Sequence, residues 1–369
     1  MSKPLAQYLG EEFVLRSADA MSRSLAIVLV ACAAVPSLPA AWAGSEAIPV
    51  AALRESPGWL DAQRESFRRD TEIDYPEDNE PNDARIRLGH TLFFDTRLSR
   101  TGAQSCASCH NPAFAWGDGL PVGRGDNLAM LGRRSPTIIN LAWAEPLMWD
   151  GRAESLEQQA LGPLASEAEM NMPLDRLVEI VGGIEGYREM FAEAFGDPTV
   201  TPERVGMAIA QYERTIVSGM APFDVWVEGN EDAISDSAKR GFQLFVGKAE
   251  CSSCHEGWRF TDDGFYDIGL DDDDLGRGAI LSGIASVEYA FKTPGLRNVD
   301  RRSPYMHDGR LATLTDVVEH YNEGGVERPS RSEFIHPLGL DDTEVADVVA
   351  FLETLTSDDD PVMLPVMPH

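Results

Sequence analysis

The chain of 369 residues is poor in cysteine, with five, and in histidine, with seven, and its 61 acidic side chains outnumber 31 basic ones. So few cysteines exclude a small disulfide scaffold. A net charge of −30 argues against nucleic acid or anionic membrane as a partner and favours basic proteins or neutral small molecules. No apolar run is long enough to span a bilayer. Glycine clusters such as Gly123-Arg124-Gly125 lack the strand-to-helix setting of a phosphate-binding loop. Sustained strand alternation is scarce as well. What is plentiful is ordinary: 43% of residues are hydrophobic, enough at this length for two domains with sizeable cores.

From Met21 the sequence reads Arg23, an apolar run from Leu25 to Val35, then Ala41-Trp42-Ala43 before Gly44. This is the order of an export signal, and it places the mature chain in the periplasm. Residues 1–20, with Glu11, Glu12 and Asp19, make a poor leader, so Met21 is the better start. Membrane attachment would require lipidation at Cys32. Downstream, helical signals dominate. Thr201-Pro202-Glu203 opens a run with Val205, Ala208, Ile209 and Tyr212 at helical spacing; Ser235 precedes Phe242 and Phe245; Asp342 precedes Val345, Val348, Leu352 and Leu355. The acidic runs Asp271 to Asp274 and Asp358 to Asp360 read as solvated loop and tail.

Apart from Cys32, every cysteine lies in one of two copies of a pentapeptide, Cys106-Ala107-Ser108-Cys109-His110 and Cys251-Ser252-Ser253-Cys254-His255. In CxxCH two thiols add to haem vinyl groups and the adjacent histidine is placed to ligate iron, so the sequence calls for two covalently attached haem c groups. A tetrahedral zinc would need converging ligand pairs, and a redox dithiol would need a βαβ context that is missing. Each motif follows a short helix, Ile86 to Phe94 or Ala238 to Val246. The expected fold is therefore mainly α, with two cytochrome c-like domains whose haems face a shared interface. Residues 1–43 form the signal and upstream region, 44–230 the first domain with extra helices between Leu156 and Val217, and 231–369 the second.

The second axial position decides between electron transfer and reaction with a small oxidant. No histidine lies between His110 and His255, so closing the first haem would take His90 or one of Met130, Met148, Met170 and Met172; an open iron is the expectation. For the second haem the candidates are Met306, His307, His320 and Tyr321. Methionine would raise the iron potential, and a tyrosinate would lower it.

These residues resemble the bacterial di-haem cytochrome c peroxidases, and within them the MauG-like branch. The similarity runs from about Arg87 to Thr356. It is carried by Phe94-Asp95-Thr96-Arg97-Leu98-Ser99, Ser135-Pro136-Thr137 with Asn140, Trp149-Asp150-Gly151-Arg152-Ala153 and Pro304-Tyr305-Met306-His307-Asp308-Gly309. The resemblance implies peroxidase activity with hydrogen peroxide as oxidant, Trp149 between the haems, and Gln159, Pro163 and Glu169 over the first, with Glu169 in peroxide activation. It implies an open first haem, because the loop Gly123 to Leu131 has no closing histidine, and Tyr321 as ligand of the second haem, because it stands where ordinary members carry methionine. A small basic cytochrome, a cupredoxin or another protein would donate electrons. Calcium between the domains is a further implication, although Arg134 stands where the family places an asparagine ligand. The alternatives are an oxidase modifying a partner protein, for which Ala249 replaces the surface tryptophan of such enzymes, and a di-haem electron carrier.

Overall fold

The computed structural model describes residues 58–369; the expected export signal and Cys32 lie outside the described residues. The described residues form eleven α-helices and one antiparallel pair of two-residue strands, β1 (Phe265–Tyr266) and β2 (Phe291–Lys292). The helices are α1 (Trp59–Ser66), α2 (Asp83–Phe94), α3 (Cys106–Cys109), α4 (Leu156–Ala165), α5 (Leu174–Gly183), α6 (Glu185–Phe195), α7 (Pro202–Arg214), α8 (Pro222–Val227), α9 (Asp236–Val246), α10 (Leu314–Glu323) and α11 (Asp342–Glu353). Their starts follow local chemistry. Asn82 caps α2, Thr201 caps α7 with Pro202 in its first turn, Ser235 caps α9, and Asp341 forms a capping box with Glu344 on α11. Among the described residues no helix is long and apolar enough to cross a membrane.

Two cytochrome c-like domains are built to one plan. In the first core Leu88, Leu92 and Phe93 of α2 meet Val205, Ala208 and Ile209 of α7; in the second Phe242 and Phe245 of α9 meet Val345, Val348 and Phe351 of α11. Each helix pair crosses at a glycine. A Cβ on Gly89 would lie 1.8 Å from the Ala208 carbonyl oxygen, and one on Gly241 would lie 1.9 Å from that of Asp347, so only hydrogen fits at either crossing. Phe67, Phe223 and Trp226 belong to the second core, so the chain changes core between Ile216 and Phe223, ahead of the polar stretch Gly229 to Ser235 where the sequence suggests a boundary.

The duplication extends through the loops. Ser135–Pro163 and Thr293–Tyr321 correspond position for position, without insertion. Asn140 and Asn298 are both left-handed, at φ 61° and 57°. Asn140 N donates to Ile216 O at 2.9 Å and its Oδ1 accepts from Ser218 N at 3.0 Å; Asn298 N donates to Leu355 O at 3.1 Å and its Oδ1 accepts from Ser357 N at 2.9 Å. Met148 and Met306 match too, at φ 74° and 71°. Ser155 caps α4 as Thr313 caps α10. By this register Trp149 pairs with His307, Gln159 with Val317, and Pro163 with Tyr321.

The domains join around a pseudo-two-fold axis. Arg134 N donates to His307 O at 2.7 Å, and its counterpart Lys292 N donates to Trp149 O at 2.9 Å. Arg133 ties the halves further, with Nη1 2.6 Å from Asp150 and Nε 2.6 Å from Asp274. The first acidic run is thus more than a solvated loop, since Asp274 is an interdomain ion-pair partner. In the second, Asp359 accepts from Gly219 N at 2.7 Å and from Asn298 Nδ2 at 2.7 Å.

Candidate active site

Both pentapeptides open onto one continuous cavity of about 740 Å³, lined by Cys106, Cys109, His110, Cys251, Cys254 and His255. Proximity in space is what the sequence leaves undetermined, because the motifs are far apart along the chain. The four thiols are free. Burial pushes Cys109 up to about 11 and Cys251 and Cys254 to about 12, with Cys106 raised further. Uncharged thiols give zinc no ready thiolate. Among the described residues, the one cluster of potential ligand atoms is Asp272, His307 and Asp308, which leaves the motif residues out. Arg310 already lies 2.6 Å from Asp308 and 3.7 Å from Asp272 there.

The two histidines are oriented alike. His110 Nδ1 lies 3.2 Å from Trp116 O, and His255 Nδ1 lies 2.8 Å from Phe260 O. A ring that donates from Nδ1 to a carbonyl keeps its Nε2 lone pair for a metal, and burial lowers both pKa values, so each imidazole stays neutral. Thiol pairs, neutral imidazoles and a shared apolar cavity fit two c-type haems. When bound, haem supplies an iron centre that binds peroxide and exchanges electrons.

Over the first motif, Gln159 and Pro163 on α4 and Glu169 just beyond it line the same cavity, with Met148 and Met170. Gln159 Nε2 donates to Met148 Sδ at 3.6 Å. Burial pushes the Glu169 carboxyl above the usual range, countered by Arg152 and by a hydrogen bond with Ser166. Of the other residues considered for closing the first iron, Met130 is surface-exposed and Met172 is core. His90 is outside the cavity lining, with ring centroids 4.8 Å from Tyr212 and 5.3 Å from Phe94.

At the second motif Tyr321 and Met306 both line the cavity. Burial raises the Tyr321 hydroxyl, with Cys254 and Cys251 close enough to add to the shift. His320 turns away, with Nε2 2.9 Å from Ile268 O, and His307 stacks on Phe291 at 3.6 Å. Trp149 sits at the domain junction. Its Nε1 donates to Arg134 O at 2.9 Å, and its ring lies 6.5 Å from that of His307.

The chain matches the di-haem cytochrome c peroxidase family over residues 83–232 and cytochrome c over 238–356. It is 47% identical to the methylamine utilization protein MauG of Methylorubrum extorquens across 84% of this chain and 88% of that one. The chain belongs to the di-haem cytochrome c peroxidase family. It is 34% identical to the cytochrome c551 peroxidase of Nitrosomonas europaea, covering 76% of this chain and 82% of that one. A crystal structure of a MauG-like protein associated with microbial copper homeostasis superposes with a TM-score of 0.72 at 31% identity, over 78% of this chain and 93% of that one. The enzyme class is accordingly a di-haem peroxidase, with c-type haem as cofactor and peroxide as oxidant.

Two features escape sequence reasoning. Glu213, at the end of α7, is 4% exposed in the cavity wall with Oε2 unpartnered; burial pushes it up to about 8. Arg134 and Arg302 bring two buried guanidinium groups to the cavity. An asparagine in place of Arg134 would suit the calcium that the family resemblance implies, but this cationic pair does not.

Proposed function

We propose that this enzyme activates hydrogen peroxide at an open haem held by His110 and exchanges oxidising equivalents with a second haem ligated by His255 and Tyr321. The carrying observation is the correspondence of Pro163 with Tyr321. The same place on equivalent helices offers an apolar ring without a donor atom in the first domain and a phenol in the second. One domain thereby leaves room for a substrate, and the other fills its site with a protein ligand.

Glu169 would take the proton from one peroxide oxygen and return it to the other, which would leave as water as the O–O bond breaks, with the haem, when bound, supplying the two electrons. A carboxyl held above the usual range is suited to both halves of that transfer. Gln159 orients the peroxide, and Pro163 keeps the wall apolar. The Trp149 indole, held by its hydrogen bond to Arg134 O, carries electrons between the domains. Export places the enzyme in the periplasm, where its net charge of −30 draws in a basic cytochrome, cupredoxin or other cationic donor protein. Ala249 is 5% exposed, so its position offers no surface aromatic for oxidising a docked partner protein.

Electron paramagnetic resonance of the resting ferric protein tests this assignment. One high-spin and one low-spin haem are expected, with the low-spin signal altered in Tyr321→Phe and the high-spin one retained. Two low-spin haems in the parent would overturn the open first site. An unchanged spectrum in Tyr321→Phe would hand the second ligand to Met306 or a histidine.

A further inference from the structure

Arg134 and Arg302 are each 8% exposed, and each has its Nε buried without a hydrogen-bond partner. They enter the cavity from opposite domains. Arg134 lies beside the first motif, its Nη2 3.8 Å from where a Cβ on Gly117 would stand. Arg302 bears on His255 by its charge, and its Nη2 donates to Gly295 O at 2.6 Å. Among the described residues no carboxylate lies within ion-pair distance of either guanidinium. Asp118, the acid that bears most on Arg134, accepts from Ser135 Oγ and Leu120 N; Asp300, which bears on Arg302, is held by Thr356. Tyr305, near both, donates its hydroxyl to Val299 O. Burial and the closeness of Arg134 push Arg302 down to about 10, which still leaves it charged.

Two neighbouring buried cations are costly unless an anion answers them. Elsewhere in this protein a buried arginine has its acid: Arg297, 1% exposed, lies 2.8 Å from Asp224. We propose that Arg134 and Arg302 form a clamp for carboxylate groups, one arm from each domain, that receives the haem propionates between the two motifs. The planar guanidinium fork matches a carboxylate in two hydrogen bonds, and the groups lie where both haem sites meet. The inference rests on the reading that both motifs carry haem. Both arginines are positioning residues; their positive charge stabilises the reduced state of a nearby iron.

The test is an optical redox titration of the purified holoprotein, its haem content fixed by mass, against Arg134→Gln and Arg302→Gln. Each variant is expected to lower the midpoint potential of at least one haem while the visible spectra keep their ligand bands. Lysine variants keep the charge without the fork and should shift the same way by less; where a glutamine variant does not fold, the lysine variant decides. Two haems by mass with potentials unmoved in every variant would overturn the clamp. Parent potentials that follow added chloride or phosphate, with that response lost in the variants, would assign the site to a free anion and overturn it equally. A parent carrying fewer than two haems would sink the di-haem reading, and the clamp with it.

Discussion

Glu169→Gln is the sharpest test of how the site handles protons. Glutamine keeps the side chain's size and much of its hydrogen bonding but can neither take nor return a proton. Glu169 lines the cavity with Gln159 and Pro163, and burial has raised its pKa against the opposing pull of Arg152. A general acid and base in that position contributes about 10²–10⁴-fold, or about 3–5 kcal/mol of barrier. The second-order rate of peroxide reaction with the ferric protein, followed by stopped flow in the Soret band, should fall by that factor while the resting spectra stay unchanged. The sign of the pH effect follows from the raised pKa. Only the ionised carboxylate can accept the first proton, so the parent rate should drop as pH falls through a value above the usual carboxylate range. The variant should be flat across that limb. A loss below tenfold, or an acidic limb that persists in the variant, would refute Glu169 as the proton carrier.

Gly241→Ala should destabilise the second domain by about 1–3 kcal/mol or more, because the added carbon meets the Asp347 carbonyl and the α9–α11 crossing must open; Gly183→Ala, which meets nothing within 4 Å, should leave the melting temperature within a degree or two. Asp224→Asn should cost about 3–5 kcal/mol in denaturant unfolding by leaving buried Arg297 unpaired. Glu213, held protonated up to about pH 8, binds its proton more tightly folded than unfolded. Parent stability should therefore decline as pH rises from the ordinary carboxylate range toward 8 and level off above it, by an amount on the order of several kcal/mol. Glu213→Gln should abolish that decline, and parallel pH profiles for the two proteins would show the carboxyl ionised throughout.

What was legible in the sequence is chemistry carried by adjacent residues. Each CxxCH pentapeptide states its own function, since thiols and ligand are fixed by covalent neighbours, and the helices on either side follow from caps and apolar spacing at Thr201, Ser235 and Asp342. The resemblance located Trp149, Gln159, Pro163, Glu169 and Tyr321, all of which line the shared cavity. What stayed hidden depends on contacts between distant segments. Asp274 reads as one of four consecutive acids until Arg133 is found against it. Phe67 belongs to a core whose other fully buried members follow it by more than a hundred residues. The unanswered charges of Arg134 and Arg302 look like ordinary surface arginines until both are seen buried at one cavity. Glu213 gives no warning either: it lies next to Arg214 in the chain, but Arg214 pairs with Glu157 at 2.6 Å.

On the proposed reading, the internal repeat lets one scaffold support two unlike iron sites. Backbone geometry is shared, from the left-handed Asn140 and Asn298 to the left-handed Met148 and Met306, so differences in function must reside in side chains at matched places. Three such differences lie on the cavity. On the proposed ligation, Pro163 against Tyr321 sets whether a donor atom faces the iron. Gln159 against Val317 gives that face a polar side chain in the first domain and an apolar one in the second. Trp149 against His307 places the readily oxidised indole at the junction on one side only. A duplicated domain that kept all three positions alike would have two open sites or two closed ones, and neither arrangement couples peroxide activation to electron storage. The asymmetry therefore requires no change of fold, only side-chain replacements at matched positions on a backbone that both domains share.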